Sequence, residues 1–228
     1  MFLLPYKFGF AIRKPNFPKK AAVLNLADPT FPKKLDKEGG LLLHILCFGD
    51  SNTYGYDPRA CSEGRYAASH RWPELLARQS GWEVRNRGEN GREIPHREWE
   101  LQQFSRLLAS CPALDRLLIL LGTNDLLQGN SAAAVACRME AFLEQIPLER
   151  GKLLLIAPPP LQKGAWVQED SLLQESRCLP AAYQALCQRL SIPFADAGGW
   201  GIGLCFDGVH FSEAGQRRFA ERLLPLLG

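Results

Sequence analysis

A serine lies between Asp50 and Asn52 in the segment CFGDSNTYGY, residues 47–56, directly after an apolar run. If a helix or tight turn begins here, free backbone N–H groups point toward the Ser51 hydroxyl and can stabilise an oxyanion. Ser51 is therefore a candidate nucleophile, although a serine in this position can also simply cap a turn. The segment differs from the G-x-S-x-G elbow of α/β-hydrolases.

A serine nucleophile needs a base, and the chain contains four histidines. His210 follows Asp207 by three residues in a glycine-containing loop, so one short turn can present both side chains on the same side. Asp207 would then accept the imidazole N–H and hold the tautomer, with the other ring nitrogen facing Ser51. The alternative is an aspartate that caps a turn beside a solvated histidine.

Acyl transfer through a serine also needs hydrogen-bond donors for the oxyanion. The candidates are the side-chain amide of Asn124, in the segment GTND, and the backbone N–H groups of Gly91 and Ser51. Taken singly, Asn124 could cap its own loop and Gly91 could only relieve backbone strain. Three aromatic residues are candidates for a substrate pocket or, equally, for packing: Tyr54, Tyr56 and Trp166.

The elements that must position these residues alternate along the chain. Five short apolar runs, at 41–48, 82–87, 116–122, 152–158 and 192–198, have apolar residues on both faces and predict buried parallel strands. Helical spacing occurs at 69–81, 96–110, 131–146, 171–190 and 212–227. The alternation predicts an α/β fold, a flavodoxin-like three-layer α/β/α sandwich with a parallel sheet of about five strands. Ligands of such sheets bind beyond the carboxyl ends of the strands, where the candidate residues fall.

Residues 1–40 differ from the rest of the chain. They contain five prolines and two lysine pairs without a sustained helical or strand period, which predicts an extended arm. The first 44 residues hold eight Lys and Arg against three Asp and Glu, whereas the other 184 carry a net charge of −2. The body, residues 41–228, therefore has no charge pattern for nucleic acid.

The seven cysteines show neither a C-x-x-C pair nor a regular spacing. This favours buried free thiols in a reducing compartment and predicts a cytoplasmic protein. The apolar start of the chain lacks the basic residues and cleavage site of a signal peptide. No run reaches the roughly 18–20 apolar residues that a membrane span needs. We therefore expect no membrane partner.

The four polar segments resemble the four sequence blocks of the SGNH (GDSL) hydrolase superfamily, in the right order over residues 43–227. FGDSNTYG resembles the nucleophile block, and DGVHFSEAG resembles the last block. In NRGENGRE the oxyanion-hole glycine is Gly91, with Gly88 as a competitor for that role, and in LGTND the matching residue is Asn124. The resemblance implies a triad of Ser51, Asp207 and His210.

The body is most similar to bacterial arylesterases and acyltransferases of that superfamily, through RYAASHRW, LLIAPPPL and PFADAG. This implies a serine esterase for short-chain acyl esters, with acetyl the expected group and with acyl transfer to alcohols as a further activity. It implies no cofactor and no metal, a small-molecule ester as partner, and, together with the basic arm, a homo-oligomer. One departure leaves the pocket shape open: Gly91-Arg92 continues into Glu93-Ile94-Pro95, where that group commonly has Thr-Thr.

Several alternatives stay open. Within the superfamily, the chain could be a carbohydrate acetyl esterase, a lysophospholipase or a thioesterase. A metal-dependent phosphoesterase would use hard oxygen and nitrogen donors, with the candidate ligands Asp50, Asp125, Asp207 and His210. A non-catalytic binding module on the same scaffold is the third class, because a fold does not determine a function.

Overall fold

The computed structural model describes residues 42–60, 64–111 and 113–227. Its centre is a parallel sheet of five strands: β1 (His44–Gly49), β2 (Glu83–Gly88), β3 (Arg116–Leu120), β4 (Leu153–Ala157) and β5 (Phe194–Asp196). The strand order is β2-β1-β3-β4-β5, which is the flavodoxin-like order. The predicted fold class is confirmed. The predicted arm at 1–40 lies outside the described residues.

Seven helices of the described chain surround the sheet: α1 (Ser51–Tyr54), α2 (Trp72–Ser80), α3 (Glu98–Ala109), α4 (Thr123–Leu127), α5 (Ala132–Glu144), α6 (Asp170–Leu190) and α7 (Glu213–Leu223). Their ends follow local sequence signals. Pro73 lies in the first turn of α2, which ends at Gly81 with φ +75°. The Ser212 hydroxyl accepts the Gly215 N–H at 3.0 Å and caps α7 as predicted.

The strands place successive side chains in two separate hydrophobic cores. Leu46 and Phe48 of β1 pack on one face with residues of α3, α5 and α6. Ile45 and Cys47 point to the other face, where α2 and α7 supply residues such as Trp72 and Phe219. Because both faces are covered, the inner strands can be apolar throughout, which is what made them recognisable in the sequence.

Strand β2 was predicted to be buried, but its residues are partly or fully exposed. In β2, three residues are exposed and three are intermediate, in strict alternation. It is an edge strand that pairs only with β1, so its outer side has no neighbour. The polar residues of WEVRNR fit this edge.

The strand order also creates the crevice for the site. The chain moves from β1 outward to β2 and then returns to β3 on the other side of β1. At such a switch point the loops leave the carboxyl ends of adjacent strands in opposite directions. Helix α1 begins two residues after the end of β1, and α4 begins three residues after the end of β3. Ser51 and Asn124 therefore lie just beyond the carboxyl ends of two adjacent strands, β1 and β3.

All six described cysteines are free thiols. Cys47 is buried as expected, but Cys137 and Cys178 are exposed on the outer sides of α5 and α6, so burial was wrong for these two. Among the described helices, none combines the length and apolar character needed to cross a membrane.

Candidate active site

Ser51 is the first residue of α1. The Asp50 carboxylate precedes it and accepts the Asn52 N–H at 2.9 Å, which caps the helix. The helix ends after one turn at Gly55, whose φ of +87° lies in the left-handed region that glycine tolerates. In the described part of the chain, no hydrogen bond uses the Ser51 N–H. That group is therefore available to a ligand oxygen beside its own hydroxyl.

A tight turn brings Asp207 and His210 to the same side. One Asp207 carboxylate oxygen, Oδ1, accepts the N–H groups of Val209 at 2.9 Å and His210 at 3.0 Å. Gly208 between them has φ +80°, and a Cβ there would lie 2.0 Å from the Gln162 carbonyl oxygen. Only glycine fits this point of the turn.

The side chains of Ser51, His210 and Asp207 form one continuous series of hydrogen bonds between α1 and the Asp207–His210 turn. His210 Nδ1 lies 2.7 Å from Asp207 Oδ2, and His210 Nε2 lies 3.0 Å from Ser51 Oγ. The relative exposures are 6% for Ser51, 3% for His210 and 0% for Asp207. With the Nδ1–H donated to the carboxylate, Nε2 is free to accept the serine proton. This arrangement can turn a weakly nucleophilic hydroxyl into an attacking group.

The two glycines of the segment NRGENGRE, Gly88 and Gly91, lie in different environments. Gly91 has φ +73°, no heavy atom within 4 Å of a built Cβ, and an N–H that no hydrogen bond among described residues uses. The Gly88 N–H is occupied, since it donates to Asn86 Oδ1 at 2.9 Å. A Cβ on Gly88 would lie 2.0 Å from the Tyr54 backbone nitrogen. Gly88 thus packs against α1, and Gly91 has the available donor.

Asn124 lies in the first turn of α4 and reaches toward the Gly91 loop. Its Nδ2 donates one N–H to the Arg92 carbonyl at 3.0 Å. A carboxamide carries two N–H donors, so the second remains for a ligand. Arg92 in turn donates from Nη1 to the Gly49 carbonyl at 2.8 Å. These bonds join the loop after β2 to α4 and to the end of β1.

An ion-pair network supports this loop from behind. Arg138 Nη1 lies 2.6 Å from Asp125 Oδ1 and 3.0 Å from Glu93 Oε2. The other Asp125 oxygen accepts the Ile94 N–H at 3.1 Å. Burial raises the pKa of Asp125, while this N–H and Arg138 oppose the rise. Glu93 and Ile94, which depart from the expected Thr-Thr, therefore anchor the loop. The sequence alone did not reveal Arg138.

Of the three aromatic residues predicted to line a pocket, two contact His210. The ring centroids of Tyr56 and Trp166 lie 4.6 Å and 5.1 Å from the imidazole centroid, and the Trp166 ring is nearly perpendicular to the imidazole. Trp166 is 55% exposed, and its backbone N–H donates to the Asp207 carbonyl at 3.1 Å. Tyr54 instead packs against Arg65, whose guanidinium carbon lies 4.0 Å from the centroid of the Tyr54 ring.

The carboxylates considered as metal ligands are used otherwise. Asp50 caps α1, and Asp125 binds Arg138. Among the described residues, no three His, Cys, Asp or Glu side chains converge on one point. The donor set of the metal-dependent alternative is thus dispersed. Burial raises the pKa of Asp50 to about 7, against opposing effects of the Asn52 N–H and Arg92.

Comparison with known structures gives several matches over most of the chain. The aryl esterase of M. smegmatis is 29% identical and has a TM-score of 0.70, and the match covers 81% of this chain and 98% of that one. A carbohydrate acetylesterase family member from Sinorhizobium meliloti is 26% identical with a TM-score of 0.71, covering 82% and 97%. A search of curated proteins finds no match.

A family comparison covers most of the same part of the chain. The model of the GDSL-like lipase/acylhydrolase family matches residues 47–218, which include all three hydrogen-bonded residues of the triad. The resemblance inferred from the sequence is confirmed. This chain belongs to the GDSL-like lipase/acylhydrolase family and is a carboxylic ester hydrolase.

Proposed function

We propose that the protein is a serine esterase that removes short acyl groups, acetyl above all, through an acyl-enzyme on Ser51. The observation that carries the proposal is the continuous hydrogen-bonded chain from Ser51 through His210 to Asp207. A helix-capping serine would not need a buried histidine at 3.0 Å from its hydroxyl. The available donors beside it fit the same chemistry.

Each step follows from this geometry. His210 Nε2 accepts the Ser51 proton as Oγ attacks the ester carbonyl, and Asp207 stabilises the imidazolium that forms. The N–H groups of Ser51 and Gly91 and the free Asn124 amide N–H donate to the tetrahedral oxyanion. His210 then protonates the leaving alcohol, which departs. Water, activated by the same imidazole, releases the acid and regenerates the serine.

The aromatic residues near His210 support a short acyl group. The Tyr56 and Trp166 ring centroids lie 4.6 Å and 5.1 Å from the imidazole centroid, so aromatic rings fill part of the space beside the proposed base. Short acyl chains fit such a space better than long ones. An alcohol that attacks the acyl-enzyme before water does would take up the acyl group and release Ser51. We therefore include acyl transfer to alcohols in the proposal.

The test combines three measurements on p-nitrophenyl esters. We expect kcat/KM to fall from acetate to butyrate to octanoate. We expect Ser51→Ala to abolish hydrolysis and labelling by a fluorophosphonate probe, which reacts only with an activated serine. Ser80→Ala is the matched control, because its hydroxyl joins Leu76 and Trp82 at the opposite end of α2 from the site. Hydrolysis by Ser51→Ala at the wild-type rate would overturn the proposal.

Acetylated carbohydrate is a second candidate substrate, favoured by a specific surface. Trp166 and Phe206 are 55% and 61% exposed, and the Ala165 N–H donates to the Phe206 carbonyl at 3.0 Å, so the two exposed residues lie on adjoining segments, of which Trp166 contacts His210. Exposed aromatic faces can pack against sugar rings. The Sinorhizobium meliloti relative supports this candidate. Acetate release from acetylated sugars, compared with p-nitrophenyl acetate, tests it, and loss of sugar preference in Trp166→Ala is expected.

A further inference from the structure

Asn52, which directly follows the proposed nucleophile, holds the histidine loop with both ends of its side-chain amide. Nδ2 donates to the Val209 carbonyl at 3.2 Å, and Oδ1 accepts the Phe211 N–H at 2.8 Å. Val209 and Phe211 are the two neighbours of His210 in the chain. The amide thus bridges across His210 at a sequence separation of more than 150 residues.

The remaining main-chain groups around His210 are bonded within their own loop or from elsewhere. The N–H groups of Val209 and His210 bind the Asp207 carboxylate. The His210 carbonyl accepts the Cys205 N–H at 2.7 Å, and the Phe211 carbonyl accepts the Tyr66 hydroxyl at 3.2 Å. Of all the hydrogen bonds named for the main-chain groups around His210, the two made by the Asn52 side chain join the loop to α1.

The other side of Asn52 is also fixed. Its carbonyl accepts Gln216 Nε2 at 3.0 Å, and Gln216 Oε1 accepts the Trp72 N–H at 2.9 Å. Asn52 and Gln216 are 3% and 0% exposed, so water does not compete for these bonds. The side-chain amide of Asn52 therefore links α1 to the loop that carries His210, and its main-chain carbonyl links α1 through Gln216 to α7 and α2.

We propose that Asn52 is a positioning residue that sets the distance between the Ser51 hydroxyl and the His210 imidazole. This inference rests on the proposed function of the site. The Asp207 carboxylate orients the imidazole within its own loop, but it does not touch α1. The Asn52 amide places that loop against the serine. Without it, the 3.0 Å Nε2–Oγ distance depends on packing and on bonds of the loop to other parts of the chain, such as that from the Tyr66 hydroxyl.

The experiment replaces the amide with an apolar side chain of similar size. In Asn52→Leu we expect kcat for p-nitrophenyl acetate to fall about 10- to 100-fold, because a misplacement near 1 Å can have that effect. We expect KM to change less than about 2-fold, since Asn52 does not face the substrate. Fluorophosphonate labelling should slow in parallel with kcat. Asn52→Ala serves as a second variant if the leucine does not fold.

A double-mutant cycle with His210→Ala separates positioning from general structural damage. If Asn52 acts through the imidazole, Asn52→Leu has less than about a 2-fold further effect on the residual rate of His210→Ala. An equal loss in both backgrounds would overturn the proposal. Ser80→Ala, which loses a two-sided hydroxyl bridge remote from the site, should lower the melting temperature without lowering kcat.

The outcomes distinguish this inference from the function on which it rests. If Ser51→Ala and His210→Ala lose activity but Asn52→Leu and Asn52→Ala retain wild-type kcat, the positioning role fails and the esterase proposal stands. If Ser51→Ala keeps wild-type activity, the proposed function itself fails.

Discussion

Asp50, the buried side chain that directly precedes the proposed nucleophile, is predicted to destabilise the fold once its carboxyl group ionises. Its pKa rises from 3.8 to about 7, chiefly because burial disfavours the charged form. This difference corresponds to roughly 4 kcal/mol of unfolding free energy once both states are ionised. Replacing the carboxylate with the carboxamide in Asp50→Asn removes this contribution. The carboxamide oxygen can still accept the Asn52 N–H and cap α1.

The sign follows from proton linkage. At pH 4 the folded protein keeps Asp50 protonated, and the unfolded chain is only partly ionised, so the fold loses little. Between pH 4 and 7 the unfolded chain releases the proton that the fold retains, and stability falls as the pH rises. Above pH 7 both states are ionised and the difference is constant. Asp50→Asn should therefore be more stable than wild type by up to about 4 kcal/mol at pH 8, and nearly equal to it at pH 4.

Urea unfolding at pH 4.5, 6 and 8 measures this difference directly. The control is Asp170→Asn, whose carboxylate is 83% exposed and should give a small difference that does not grow with pH in this range. A stabilisation by Asp50→Asn that is equal at all three pH values would show that ionisation of Asp50 does not destabilise the fold. So would a variant that is less stable than wild type at pH 8, because the buried carboxylate would then stabilise the fold in its charged form.

Three further substitutions test the site. Asn124→Ala should lower kcat about 10²–10³-fold with an unchanged fold by circular dichroism, because one oxyanion donor is lost. Asp207→Asn should lower kcat about 10⁴-fold while His210 keeps its place, because an amide favours the wrong imidazole tautomer; steady-state kinetics and a crystal structure check both. Gly164→Ala should lower kcat at least about 10-fold, since its Cβ would lie 2.4 Å from the Asp207 carbonyl carbon and displace that loop. Gly151→Ala, with no heavy atom within 4 Å of the Cβ, should retain wild-type kinetics.

The fold was largely predictable because its determinants are local. The inner strands are apolar on both faces, and helix ends such as Pro73, Gly81 and Ser212 carry their own signals. These features state which segments are strands and helices, and the alternation then limits the topology. The exposure of β2 was missed, because edge position depends on strand order rather than on the composition of one strand.

The candidate site was predictable only in its central residues. Ser51 just beyond the end of β1, and Asp207 and His210 in the loop before α7, have side chains with distinctive chemistry, and the structure brings them within hydrogen-bond distance. The roles of Asn52 and Arg138 depend on partners far along the chain, which no spacing in the sequence reveals. Tyr54 and Tyr56 differ by two residues, yet only Tyr56 contacts His210, because the chain turns at Gly55 between them.

Buried aspartates have a common use at this rim of the sheet. Asp50, Asp125 and Asp207 are each almost fully buried, and each accepts at least one main-chain N–H of a helix or loop that carries a site residue. For Asp50 and Asp125, burial raises the pKa, so ionising them in the fold is unfavourable. Apolar side chains at these positions would avoid the free-energy cost of ionising a buried carboxyl group, but they could not accept the main-chain hydrogen bonds. The fold thus gives up stability at the carboxyl ends of its strands, where hydrogen bonds of fixed direction hold the serine, the imidazole and the oxyanion donors in register.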